Sequence, residues 1–181
     1  MKSCVSILFV LLVILFAVSC NRKVYFSNEM RTELSNKNVD ITKLQFYIDK
    51  DVVLSREISS FDAKLTSGKV IFQNGRYFQN IFLRSFTKGI CTAVYQKRMY
   101  ISFEQGDNKN IVFSIPKLNN TSNIYTLTND GVFGNNSNLI TYDGKQYQLS
   151  FKGNSPKLMI NGRVVENRKN NDRIMKGLKV S

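Results

Sequence analysis

From residue 44 onward, apolar and polar positions alternate with a period of two, in short runs separated by turn residues, which is the pattern of half-buried β-strands. Runs 44–48 and 52–58 are separated by Asp49, Lys50 and Asp51, and read as two short strands or as one strand with a polar bulge. Runs 69–73 and 77–84 flank Asn74-Gly75, the kind of dipeptide that most readily supplies the two positive φ angles of a type I′ hairpin. Runs 92–96 and 99–104 meet at Lys97-Arg98. In the second of them Met99, Ile101 and Phe103 share one face, while Tyr100, Ser102 and Glu104 share the other. Runs 111–115 and 124–128 follow, with Pro116 and a loop rich in Asn, Ser and Thr between them. Runs 139–142 and 145–151 flank Asp143-Gly144, and runs 157–160 and 163–165 flank Asn161-Gly162, giving a second and a third hairpin signal. The pattern predicts a mostly β fold over 44–166: a single antiparallel β-sandwich or small barrel built of hairpins, following a short N-terminal helix and tether. Thirteen Phe and eight Tyr, without Trp, suffice to fill its core.

On either side of this region the alternation is missing. Residues 21–43 are polar and weakly patterned, and read as a tether in which Ser27 or Asn28 caps a short helix through Glu29, Met30, Glu33 and Leu34. Fully extended at about 3.3 Å per residue, such a tether would reach roughly 75 Å. Residues 167–181 carry Arg168, Lys169, Arg173, Lys176 and Lys179. With Arg163 just before them they read as a basic tail able to grip an anionic surface or an acidic patch on a partner.

The first residues form a processing signal. Lys2 precedes an apolar run over 5–18 that is broken only by Ser6, shorter than the roughly 17 to 25 residues a spanning helix needs. The run closes on Ala17, Val18, Ser19 and Cys20, which resembles the lipobox of bacterial lipoproteins. The resemblance implies that 1–19 are removed with Cys4, and that Cys20 becomes a lipidated N-terminus bearing a diacylglycerol and an N-acyl chain, enough for firm membrane attachment. Ala17 stands where leucine is commonest, which leaves ordinary cleavage after Ser19, or a retained signal anchor, as rival readings. Asn21 follows the cysteine in place of an inner-membrane retention aspartate, and no acidic cluster follows it. The resemblance therefore implies the periplasmic face of the outer membrane. The overall plan is similar to that of small Bacteroidota envelope lipoproteins, including those encoded with type VI secretion systems.

Charge narrows the choice of partner. The chain carries 26 basic and 13 acidic residues, a formal charge of +13, of which only Lys2 lies in the signal. Such a field attracts anionic partners, meaning lipid headgroups or acidic glycans in an envelope setting, whereas the signal peptide argues against nucleic acid.

Reactive side chains are scarce. The sequence has no histidine, hence neither the commonest general base nor the commonest metal ligand. Cys91, the one thiol besides Cys4 and Cys20, sits in an apolar run and reads as a small core residue. Asp49 and Asp51, two apart, have the spacing a carboxylate pair or a calcium site would need, but two acids flanking Lys50 on a polar turn are the favoured reading. Loops 106–108 and 129–131 resemble cation-binding loops in composition without their ligand spacing, and phosphate loops and nucleophile elbows are absent. The expectation is a membrane-anchored, non-catalytic accessory or assembly component without cofactor. It would act on an envelope protein partner, within a transport or secretion machine. The alternative is a binding module for an anionic glycan, lipid or other small ligand.

Overall fold

A computed structural model describes residues 22–66, 69–116, 123–129 and 138–164. Two of the three Gly-containing dipeptides make the expected hairpins. Asn74 and Gly75 adopt φ of 49° and 76° between β4 (Lys69–Gln73) and β5 (Arg76–Leu83), and Asp143 and Gly144 adopt 51° and 68° between β10 (Leu139–Tyr142) and β11 (Lys145–Ser150). These strands, with β3 (Val52–Ile58), form a five-stranded antiparallel sheet in the order β10-β11-β3-β5-β4.

The second sheet gathers strands from the whole chain. Its members are β1 (Lys23–Tyr25), β2 (Gln45–Ile48), β6 (Lys88–Val94), β7 (Arg98–Ser102), β8 (Asn110–Ser114), β9 (Thr126–Leu127) and β12 (Leu158–Asn161), in the order β1-β12-β2-β6-β7-β8-β9. All pairings are antiparallel, and the two sheets form a sandwich-like arrangement without a closed barrel. Isolated bridges Ser27–Ile124 and Thr126–Lys157 draw the β9 end back toward β1 and β12, so the larger sheet curls strongly.

The polar triplet 49–51 is a crossing between sheets, with β2 in one and β3 in the other. Residues 84–87 return the chain in the same way, and the two corners are stitched together. Asp51 accepts the Ser85 N–H at 2.8 Å and an Arg84 N–H at 2.9 Å, and the Phe86 N–H donates to the Ile48 carbonyl at 2.7 Å.

Residues 23–43 correct the tether expectation, because they belong to the domain. Alternation is too short to show in three residues of β1, yet Val24 pairs with Ile160 and places Phe26 fully inside. Helix α1 (Asn28–Asn36) starts where expected, with the Ser27 hydroxyl accepting the Met30 N–H, and buries Leu34; a 3-10 turn at Ile41–Lys43 buries Ile41. Phe26 stands edge-on to Phe46 at 5.2 Å and lies 5.5 Å from Tyr125, within one core that joins both sheets.

The third hairpin does not form. β12 pairs with β1 on one side and with β2 on the other, so neither side is open to 163–165. Gly162 keeps an ordinary φ and donates its N–H to the Arg22 carbonyl at 2.8 Å, and a Cβ there would lie 3.2 Å from that oxygen. A helix absent from the sequence reading, α2 (Ser60–Leu65), is started by Ser59, whose hydroxyl accepts the Asp62 N–H at 3.0 Å. It buries no residue, which is why no apolar stripe announced it.

Candidate interaction surfaces

The carboxylates singled out in the sequence are committed to structure. Asp49 accepts the Lys157 N–H at 2.6 Å, while Asp51 is tied to Ser85 and Arg84 at the sheet corner. The Ser85 N–H, and after it the Arg84 side chain, holds the Asp51 carboxyl below its ordinary range. Both line an open groove of about 580 Å³ with Lys50, Phe82, Arg84 and Phe151, where the acids act as corner pins.

Cys91 is buried between strands, and desolvation pushes its thiol up to about 11. A thiol so raised is almost entirely protonated at neutral pH and a poor nucleophile. Iodoacetamide should therefore leave Cys91 unmodified in the native protein at pH 8 and alkylate it once the chain is unfolded in urea, as read by mass spectrometry.

A second, more polar groove runs past Gln79, Asn80, Glu104, Tyr142 and Tyr147. Its two tyrosines are 3% and 2% exposed and meet edge-on at 6.3 Å, so they fill core and offer no ring face to a ligand. Burial, and then the Glu104 carboxylate, raises the Tyr142 phenol well above its usual value. Among the described residues no group of three or more Cys, Asp or Glu is placed to hold a metal ion, and no helix is long and apolar enough to cross a membrane.

Two surfaces stand out instead. The first is an arm formed by α2 and the β4–β5 hairpin. Phe61 and Leu65 on α2 are each 70% exposed, and Phe72 on β4 is 62% exposed, its ring 4.7 Å from that of Tyr77 across the hairpin. β4 is the last strand of its sheet, and its outer edge pairs with no strand among the described residues. Because the two-residue loop closes on Gln73 and Arg76, the hydrogen-bonded pairs alternate from there. Val70 and Phe72 therefore direct their backbone groups to the open edge.

The second surface is the outer face of the larger sheet around β1, β12 and β2. Register aligns Tyr25, Met159, Tyr47 and Lys88 in one row across four strands, with Tyr25 exposed and Met159 buried, and Lys23 aligns with Asn161 in the next. The Lys23 ammonium sits 4.3 Å over the Tyr47 ring, and that of Lys157 sits 4.9 Å over the Tyr25 ring. This row joins residues distant in sequence, so only the strand order brings it together.

Of the basic tail, Arg163 alone is described: it is exposed, and its N–H donates to the Asn161 side chain at 3.2 Å, next to Gly162 and its bond to Arg22. Cys20, Arg168, Lys169, Arg173, Lys176 and Lys179 lie outside the described residues. No protein-family model, curated protein or solved structure matches the chain.

Proposed function

We propose that this protein is a lipid-anchored envelope lipoprotein, held by Cys20 at the periplasmic face of the outer membrane, that serves as a non-catalytic accessory or assembly component of a transport or secretion machine. The lipobox-like ending of the signal supports the anchor. The observation that carries the protein-contact reading is the β4 edge: Val70, Ile71 and Phe72 form an open strand of β-branched and aromatic residues, beside the exposed Phe61 and Leu65. An open edge of this composition offers a place for a partner to add a strand, backbone bonds supplying affinity and side chains supplying selectivity. The carboxylates and the thiol that could have served chemistry are occupied in holding the fold. The alternative, a module for an anionic glycan, lipid or small ligand, draws support from the lysine-covered tyrosines of the larger sheet.

Crosslinking in native envelopes, followed by capture of the tagged full-length protein, tests the reading. Val70→Pro and Phe72→Asp should each reduce the recovered partner about tenfold, since a proline blocks the edge without removing a β4–β5 bond. Wild-type unfolding midpoints in the variants would show that the fold is intact. Undiminished capture in both would reject the β4 edge as the contact.

A further inference from the structure

We infer that the open edge of β4 is completed by β4 of a second copy of the chain, the two strands running antiparallel about Ile71 and joining two five-stranded sheets into one. The inference rests on the reading of this edge as a protein contact, and names the partner that the edge fits.

The strands that end the two sheets are not alike. β1, β9 and β10 are three, two and four residues long, and β9 is bridged at Thr126 to Lys157. β4 is five residues long, contains no proline, and pairs with β5 from Lys69 opposite Asn80 to Gln73 opposite Arg76 without a shift of register. Short length, proline, bulges and charge are the devices that keep sheet edges from pairing. Within β4 only Lys69, at its end, supplies one of them, and the middle is Val70, Ile71 and Phe72. No strand among the described residues takes the outer side.

Backbone geometry selects one register. Antiparallel strands bond through opposed residues that both direct their N–H and carbonyl across the gap, and in β4 those residues are Val70 and Phe72. Centring the pair on Ile71 sets Val70 opposite Phe72 of the second copy and, by two-fold symmetry, Phe72 opposite Val70 of that copy. Four hydrogen bonds then close within Lys69–Gln73. Centring it on Val70 or on Phe72 closes only two within the same strand. Beyond Gln73 the ladder cannot be extended, because Asn74 has turned away with φ of 49°.

The residues agree with that register. The two copies of Ile71 meet at a non-hydrogen-bonded position, where Cα atoms are about 4.5 Å apart. Val70 meets Phe72, a β-branched residue against an aromatic, which is a favourable cross-strand pair. Phe72 is 62% exposed in the single chain, so it has surface to lose. Lys69 falls opposite Gln73, and no two like charges are opposed even in a chain of formal charge +13. Because both copies use the same edge, the contact closes at two.

Ile71→Cys in the full-length protein tests the register in native envelopes. Its two thiols would lie within disulfide reach, whereas those of Gln73→Cys would stand roughly 14 Å apart. Oxidation with copper phenanthroline should give about tenfold more covalent dimer on a non-reducing gel from Ile71→Cys than from Gln73→Cys. Charge gives a second test. Ile71→Lys and Ile71→Glu each oppose like charges and should each weaken dimerisation of the detergent-purified protein about tenfold in sedimentation, while their equimolar mixture should return to within about threefold of wild type. The cysteine pair still decides the matter should a charged variant fail to fold.

Equal crosslinking from positions 71 and 73 overturns the inference, as does a mixture no more dimeric than its components. If Val70→Pro nevertheless loses a captured envelope protein, β4 remains a contact for that protein and only the second copy is wrong. If Val70→Pro and Phe72→Asp lose nothing, the contact reading falls as well. Assemblies that grow past two copies with concentration would join unlike edges, and would also overturn it.

Discussion

Phe26→Ala is expected to lower the unfolding free energy by about 3–5 kcal/mol, the usual cost of emptying a fully buried aromatic site. Phe26 is 0% exposed, edge-on to Phe46 and against Tyr125. Its backbone is fixed at both ends, its N–H donating to the Leu158 carbonyl at 2.8 Å and its carbonyl accepting the Tyr125 N–H at 3.0 Å, so the site has little freedom to collapse around the lost ring. Urea unfolding measures the change, with the slope of free energy against denaturant unaltered. Phe61→Ala, on an exposed side chain, should stay within about 0.5 kcal/mol. Equal effects at the two positions would mean that residues 23–43 do not belong to the domain.

Gly89→Val is expected to cost about 1–3 kcal/mol for a different reason, the absence of room. Even a Cβ at 89 would lie 2.7 Å from Cγ2 of Ile101 and 2.8 Å from Cε1 of Phe103. Gly89 is paired with Phe46 near the start of β6, on the inward side of the sheet, where backbone shifts would disturb both neighbouring strands. Its φ is ordinary, so crowding accounts for the whole cost and removing the crowding should recover part of it. Phe103→Ala in the Gly89→Val background should therefore cost less than Phe103→Ala alone, a coupling that thermal or urea unfolding of the four proteins reads directly. Strict additivity would place the penalty somewhere other than this contact.

Local signals were legible in the sequence and long-range ones were not. Asn74-Gly75 and Asp143-Gly144 are short hairpins whose chemistry is complete within two residues, and the structure reproduces both. Asn161-Gly162 carries the same dipeptide, but the strand before it is claimed on both sides by segments from the other end of the described chain, and no local rule contains that competition. The same holds for β1, too short to alternate visibly and yet paired from Lys23 to Tyr25. α2 was missed although Ser59 and Asp62 stand at cap spacing, because the helix buries nothing and leaves no periodic trace.

The surfaces divide in the same way. β4 was readable as a strand, but its place at the edge of a sheet depends on an order set by five strands. The tyrosine and lysine row draws on β1, β2, β6 and β12, and becomes a surface only through their register. Asp49 and Asp51, the pair that looked most like chemistry, turned out to secure the corner where the chain changes sheets.

The pairing of β12 with both β1 and β2 bears on how the protein is built. Hairpins such as β4–β5 and β10–β11 close over a few residues and can form as soon as they emerge, whereas contacts between distant segments form late because the loops they close are long. A chain delivered amino end first must hold β1, Phe26 and one side of β2 in waiting until 158–161 has been made. An interrupted chain would keep those hydrogen-bonding groups and that aromatic ring bare, the kind of unfinished surface on which chaperones and proteases act.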